Sequence, residues 1–468
     1  MKQKSSYNQT EKSPLFLRPF GSKRAKLERT FHFSLLTSHF SLLTSIVVLA
    51  MLFPIASFAQ GGTVSPYSQY GLGEIAQRGG GLNQGMNGLG IGLHRSYLVN
   101  PLNPASYAMT DSLTMLFDMG LSGQITNYSD AGKKDKTKTA NFEYVMGSFR
   151  ISKVLGATFG ILPLTSVGYN YSTTAKLDEQ TTVVTTHEGD GGLHQLFVGL
   201  GVRPIKSLSV GMNAGYIWGG YDRGVVANSG STVNRLAKIY SAEVNSYTLD
   251  FGVQYDHKIS KTDNLTVGLT YGLGHKLGTD AECRIISSNS SVSKNDTTLM
   301  KVNNALELPH TVGAGFSYSH GEKWLVGADV QAQFWGKTQF PDYYNNQYAL
   351  RSDLLDNSYK FVLGGEYCPR WNARNIFQRI RYRFGASYTT PYYKINGQEG
   401  PRQISATVGF GIPIANSYIT RTSLFFPFVN ISAQYVNNYA TGMIRENTFR
   451  INIGLTFNER WFAKWKVE

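Results

Sequence analysis

Few residues in this sequence are placed to do covalent chemistry. Asp250 and Asp329 each sit among apolar neighbours in an alternating run, and two such carboxylates could in principle form an acid/base pair. Acyl transfer also needs a nucleophile beside a base, and no Ser/His or His/Asp arrangement accompanies them; the nine His are scattered. Glycines 88, 90 and 92 have the look of a phosphate-cradling loop. That loop works only between the strand and helix of a βαβ unit, and none is present. Neither a metal nor another cofactor is suggested by the two cysteines, Cys283 and Cys368. The reading is therefore a protein that is not an enzyme.

The elements around these residues explain their spacing better than catalysis does. From Tyr247 every second residue is bulky: Tyr247, Leu249, Phe251, Val253, Tyr255, with Thr248, Asp250, Gly252 and Gln254 between them. After a short polar stretch the pattern resumes as Leu265, Val267, Leu269, Tyr271, Leu273. A period of two marks a strand with one apolar and one wet face. The apolar face here ends in Tyr, and the other face holds Asp, Gln, Thr and Gly. That arrangement fits a transmembrane β-barrel, apolar outward to lipid and polar inward to the lumen. Fourteen such segments follow one another: 113–123, 142–152, 156–171, 193–204, 207–219, 245–258, 263–274, 308–319, 323–335, 358–369, 379–389, 403–413, 426–437 and 447–458. The second has no clean face. Long links after odd-numbered strands alternate with links of a few residues after strands 2, 4, 6 and 8, as expected when one rim is extracellular and the other periplasmic. The expected fold is all-β, a 14-stranded antiparallel transmembrane barrel over residues 113–458, with both ends of the barrel in the periplasm.

Composition agrees. Of 468 residues, 28 are Tyr and 49 are Gly, and no apolar run past residue 60 approaches the roughly 20 residues that a spanning helix needs. Residues 1–59 read as an export signal cleaved after Ala59, with Ser57 and Ala59 as the small residues before the cut. The heptad HFSLLTS is repeated at His32–Ser38 and His39–Ser45. Residues 1–59 carry eight Lys/Arg and two acids, so the net charge of +14 falls to 14 − 6 = +8 without them. The remaining excess is spread out with no basic helix, which argues against nucleic acid. Its one local cluster, Lys133, Lys134, Lys136 and Lys138, is a solvated loop or a contact with lipid phosphates. Gln60 to Asp111 is Gly-rich and does not alternate; residues 60–112 are expected to fill the lumen as a plug, where irregular backbone is shielded from lipid. Residues 459–468 form a periplasmic tail. Cys283 falls in an outer loop and Cys368 near an inner strand end, too far apart for a disulfide.

Three features bear on function. Asn100-Pro101-Leu102-Asn103-Pro104-Ala105 imposes stiff turns before the first strand. Pro163 lies mid-strand in the third segment and must open or bulge its ladder, while Leu162 and Leu164 turn apolar side chains inward. By parity Asp118, Asp250, Asp256, Asp329, Lys360, Glu366, Arg381, Arg383 and Arg450 point into the lumen, where mixed signs suggest ion pairs tying plug to wall.

Together, the export signal, Gly-rich plug, NPA triplet, fourteen strands and disrupted third strand resemble the FadL/TodX outer-membrane transporters of hydrophobic compounds. Leu308-Pro309, WLVGADVQAQFW, LGGEY at Leu363–Tyr367 and SPYSQYGLGEI…NPLNPASYA support the likeness and are similar to its Bacteroidetes branch. The resemblance implies a monomer in the cell outer membrane, in contact with lipopolysaccharide, that passes a fatty acid-like or other hydrophobic small molecule passively. Asn103, Pro104 and Ala105 would be its plug motif, and Gly160 to Ser166, with Gly160, Leu162, Pro163 and Leu164 at the centre, a kink opening sideways to the bilayer. Two alternatives stay open. Relatives in the branch include a type 9 secretion component, so the barrel could serve export or surface attachment through its long loops; a water-filled porin is the other.

Overall fold

The computed structural model of the protein describes residues 63–111, 115–130, 132–176, 182–228, 235–289, 294–414 and 427–459. The expected export signal and most of the expected tail lie outside the described residues. Fourteen strands form the wall, one for each alternating segment. They are β1 (Met115–Asp130), β2 (Lys133–Arg150), β3 (Leu155–Lys176), β4 (Thr182–Ile205), β5 (Leu208–Asn228), β6 (Arg235–Lys258) and β7 (Asp263–Gly272), then β8 (Thr311–His320), β9 (Trp324–Gln333), β10 (Ser358–Tyr367), β11 (Arg381–Thr389), β12 (Arg402–Pro413), β13 (Phe428–Tyr439) and β14 (Arg445–Glu459). Each pairs antiparallel with the next, and β1 closes on β14 from Met115↔Glu459 to Ser129↔Arg445. Closure removes the sheet edges that lipid cannot satisfy.

The two faces are inverted relative to a soluble protein. Val198, Val253, Leu269, Leu363 and Ile453 are exposed, whereas Asp118, Gln195, Asn213, Gln254 and Glu366 are buried. Aromatic pairs such as Tyr216–Trp218, Tyr247–His275 and Tyr271–His310 stack on the outer side of this apolar belt, the place of an interfacial girdle. This is an outer-membrane barrel.

Strand lengths depart from the expectation. Most of the supposed outer loops after β1, β3 and β5 are sheet: the ladders continue to Asp130↔Lys133, Lys176↔Thr182 and Ala227↔Leu236. β3 to β6 have 22, 24, 21 and 24 residues, about twice the 9–11 that cross a bilayer. The loop after β7 also contains a hairpin, Ala281–Asn289 with Lys294–Val302, which pairs with the outer part of β6. Beyond the belt the outward face of a strand meets water instead of lipid, while inward residues such as Tyr221, Ala242 and Val244 join a buried apolar cluster, so the apolar-out, polar-in alternation of the wall is lost there.

The faceless second strand has a physical cause. In the β1–β2 register Gly120 faces Tyr144 and Leu121 faces Phe142, leaving Glu143 as an extra residue. A bulge flips the parity of everything beyond it. Glu143 itself is buried and accepts a hydrogen bond from the Ser122 hydroxyl.

Candidate functional site

Two neighbouring wall strands, β2 and β3, part along much of their length. β2 and β3 pair only from Val145↔Ile161 to Arg150↔Gly156. Beyond that, among the wall strands β2 continues beside β1 and β3 beside β4, but not beside each other. The parting coincides with the expected kink. The β3–β4 register shifts between Pro163 and Thr165, leaving Leu164 as the bulged residue. Leu162 is buried in an inner apolar cluster with Tyr107, Tyr144, Met146 and Phe197. Leu164, past the bulge, packs on a separate outer cluster that includes Leu72, Val167, Tyr169, Tyr221 and Trp335. Gly160 is a packing position: a Cβ there would lie 2.7 Å from Met146 Cγ and from the Val145 carbonyl oxygen. The bend spreads through glycines that the sequence reading passed over. Gly191, Gly192 and Gly219, at φ +128°, +142° and +128°, stand beside it on β4 and β5. Only glycine adopts such angles readily, so the GDGG and GG runs at 189–192 and 219–220 were its signal.

The seam is not empty. Glu74 and Ile75 pair with Ser166 and Thr165 of β3 as a two-residue strand, and the Ala76 amide donates to the Leu164 carbonyl at 3.0 Å. Farther out, the Gly168 amide donates to Ser68 Oγ at 3.0 Å, and that hydroxyl donates to the Gly168 carbonyl or the Ser65 carbonyl. On the other side, Tyr67 donates to the Ile444 carbonyl at 2.6 Å and Tyr128 of β1 to the Val64 carbonyl at 3.0 Å. The segment before β1 therefore supplies the ladder partner that β2 withholds.

This inner segment, 63–111, is fastened to the wall along its length. The Asn103 side chain caps the 3-10 turn Pro104–Met109, accepting from the Ala105 amide at 3.1 Å and donating to the Ile91 carbonyl at 2.8 Å. Pro104 and Asn103 lie against Gly211 of β5 and Gly252 of β6, where a Cβ would collide with them. The NPA triplet is thus a capped turn seated on wall glycines. Asn100 adds bonds to the carbonyls of Gly90 and Leu93 at 2.7 and 2.8 Å.

The charged lumen residues fall into separate groups. Asp329 of β9 accepts from the amides of Gly90 at 2.6 Å and Ile91 at 2.8 Å, with Gly92 at 3.5 Å. The Gly-rich run does cradle an anion, and the anion is the protein's own carboxylate. Asp250 pairs with Arg78 at 2.9 Å, and Asp256 with His94 at 3.4 Å. Glu366 takes Arg381 and Arg383, each at 2.7 Å; Arg381 also reaches Glu322, which pairs with Arg95 at 3.2 Å. Arg450 donates to Gln124 at 2.9 Å. Asp250 and Asp329 bind different groups and do not form a pair. Both cysteines are free and buried.

A family model described as BamG matches residues 42–468. The chain belongs to the BamG family. Among curated proteins none matches the sequence. Solved structures share the fold at low identity. The Pseudomonas putida toluene transporter TodX has a TM-score of 0.60 at 13% identity, with 83% of this chain and 100% of that chain covered. The Ralstonia pickettii toluene transporter TbuX gives 0.57 at 13%, covering 81% and 98%. A FadL homologue of Pseudomonas aeruginosa gives 0.56 at 11%, covering 83% and 99%. The expected FadL/TodX likeness thus holds in the barrel architecture.

Proposed function

We propose that this BamG-family barrel passes a hydrophobic small molecule between its outer loops and the bilayer, with the β2–β3 seam as the lateral opening and segment 63–111 as its plug. The observation that carries the reading is the replacement of a wall ladder by the short strand Glu74–Ile75, beside an apolar cluster that reaches from the seam to the outer loops. An apolar solute entering that cluster would gain on the order of 25 cal/mol per Å² of surface removed from water. TodX and TbuX are toluene transporters, and the reading carries that chemical class to this chain.

A reversible staple tests it. Ser68 Oγ touches the Gly168 backbone, so the pair Ser68→Cys and Gly168→Cys lies within disulfide reach. Oxidised, the variant should stop uptake of a hydrophobic dye into cells; reduced, it should recover. Uptake that ignores the redox state removes the seam from the route. Filling the kink with Gly160→Val would be a poor test, because a Cβ at Gly160 already meets Met146 and Phe197.

A second reading has its own support. β3 to β6 rise well beyond the apolar belt, and a further hairpin leans on β6. Such a wall suits a barrel that docks another protein at the cell surface. Deleting residues 281–302 separates the two: lost protein display with intact dye uptake favours docking.

A further inference from the structure

The lysines of β2 form a face. Lys134, Lys136 and Lys138 alternate with Asp135 and Thr137, and all three are exposed. In the register Lys138 lies opposite Ile125, Lys136 opposite Asn127 and Lys134 opposite Ser129 of β1. Ser129 in turn faces Arg445 of β14, also exposed. These positions share the outward parity of Leu121, Phe449, Ile451 and Ile453, which are 61%, 45%, 43% and 55% exposed and belong to the apolar belt. The cations therefore continue the lipid-facing surface past its outer edge.

The acids nearby are on the other side of the sheet. Asp135 is opposite Tyr128, which bonds the inner segment, and the buried Glu446 accepts from Ser65 at 2.7 Å. The outward positions of β13, β14, β1 and β2 at this level hold Tyr435, Asn437, Tyr439, Asn447, Ile125, Asn127 and Ser129 besides the four cations. Among the described residues none of Lys134, Lys136, Lys138 and Arg445 has an ion-pair partner. Alternate residues on one strand stand about 6.6–6.8 Å apart, so the face offers several cations to one large headgroup.

The geometry points to this face as a docking site for a phosphorylated glycolipid of the outer leaflet, its acyl chains on the belt below and its phosphates on Lys134, Lys136, Lys138 and Arg445. Charge complementarity and continuity with the apolar belt select a lipid over an acidic protein. A lipid seated here also borders the seam, because these lysines belong to the part of β2 that has left β3. The inference stands independently of whether a solute crosses that seam.

The full barrel, purified in mild detergent, is titrated with bisphosphorylated lipid A, dephosphorylated lipid A and phosphatidylcholine, and bound lipid is counted by native mass spectrometry. The wild type should prefer the bisphosphorylated form. The variant K134Q/K136Q/K138Q/R445Q should bind it at least tenfold more weakly, since each basic residue near an anionic surface contributes about 1 kcal/mol, or roughly fivefold. The Lys→Arg version of the three lysines should retain binding. All four side chains are exposed, and an unchanged heat-modifiable band on a gel confirms that each variant folds. Equal binding of the three lipids, or undiminished lipid A on the glutamine variant, overturns the proposal. So does a glutamine variant that keeps its lipid but loses a co-purifying acidic polypeptide.

Discussion

Asp329 offers the sharpest perturbation of the inner segment. Its carboxylate takes the Gly90 and Ile91 amides at 2.6 and 2.8 Å, and all three residues are buried. A hydrogen bond to a charged group contributes about 1.5–3 kcal/mol, and a buried donor left without an acceptor costs about 1–3 kcal/mol. These terms overlap, so Asp329→Ala should cost about 3–5 kcal/mol of the closed arrangement. Each 1.4 kcal/mol is tenfold, so opening should become at least a hundredfold more frequent. Asp329→Asn keeps an acceptor but loses the charge, and should fall between wild type and alanine. Gly315→Ala gives an independent route to the same defect, because its Cβ would collide with Asp329 Oδ1 and lie 3.0 Å from Ile91 Cβ. Amide hydrogen exchange read by mass spectrometry over 83–98 is the assay, with the β8 and β9 ladders as internal reference. If protection over 90–92 in Asp329→Ala stays at the wild-type level while those ladders are intact, the carboxylate is not what holds the turn.

Other perturbations reach different fastenings. Glu366→Gln leaves Arg381 and Arg383 buried without their shared anion, and should cost about 3–5 kcal/mol, seen as a lower heat-modification temperature. Gly73 has φ +98°, and a Cβ there would lie 2.7 Å from Val167 Cγ2, so Gly73→Ala should lift Glu74–Ile75 from β3 and raise hydrophobic dye uptake. Burial pushes the His94 imidazole down from its ordinary value, against the pull of Asp256. The unfolded chain then binds that proton first, so the contribution is complete above about pH 6.5 and is lost as pH falls from there through the lowered folded value. Protection factors over 90–98, corrected for the intrinsic pH dependence of exchange, should fall on acidification, and His94→Gln should flatten the response.

The wall was legible because lipid and lumen impose a two-residue period wherever they lie on opposite sides of a strand. Tyr247 to Leu273 states it on both sides of one short polar turn. The same logic failed where one side ceased to be lipid: the outer ends of β3 to β6 read as loops, and the extra residue Glu143 erased the face of β2. Asp329, Glu366 and Arg383 are buried, but parity carried no information about their partners. The partner of Asp329 is a backbone turn more than 230 positions away, and glycine amides carry no side-chain signature. Pro163 flagged the kink, but that β2 departs there and that Glu74–Ile75 takes its place depends on contacts between distant segments.

On the proposed lateral route, those contacts also set where the barrel would open. Parting β3 from β4 would break a ladder running from Leu155↔Val202 to Lys176↔Thr182, much of it where lipid offers no replacement hydrogen bonds. Parting the seam breaks the two-residue strand at Glu74–Ile75, the Ala76–Leu164 bond and the Ser68 bonds to Gly168. At about 0.5–1.5 kcal/mol net for each hydrogen bond, this is a barrier of a few kcal/mol. On the proposed lateral route, the seam is therefore easier to part than the β3–β4 ladder. Its partner strand also continues through Arg78, paired with Asp250, to the Gly90–Gly92 turn held by Asp329. Retreat of Glu74–Ile75 must pull against those fastenings, so the opening in the wall and the position of the inner segment are one mechanical variable. Under that coupling, Asp329→Ala should loosen Glu74–Ile75 as well as Gly90–Gly92, and exchange at Ile75 should rise in the same variant; protection lost at the turn alone would separate the two.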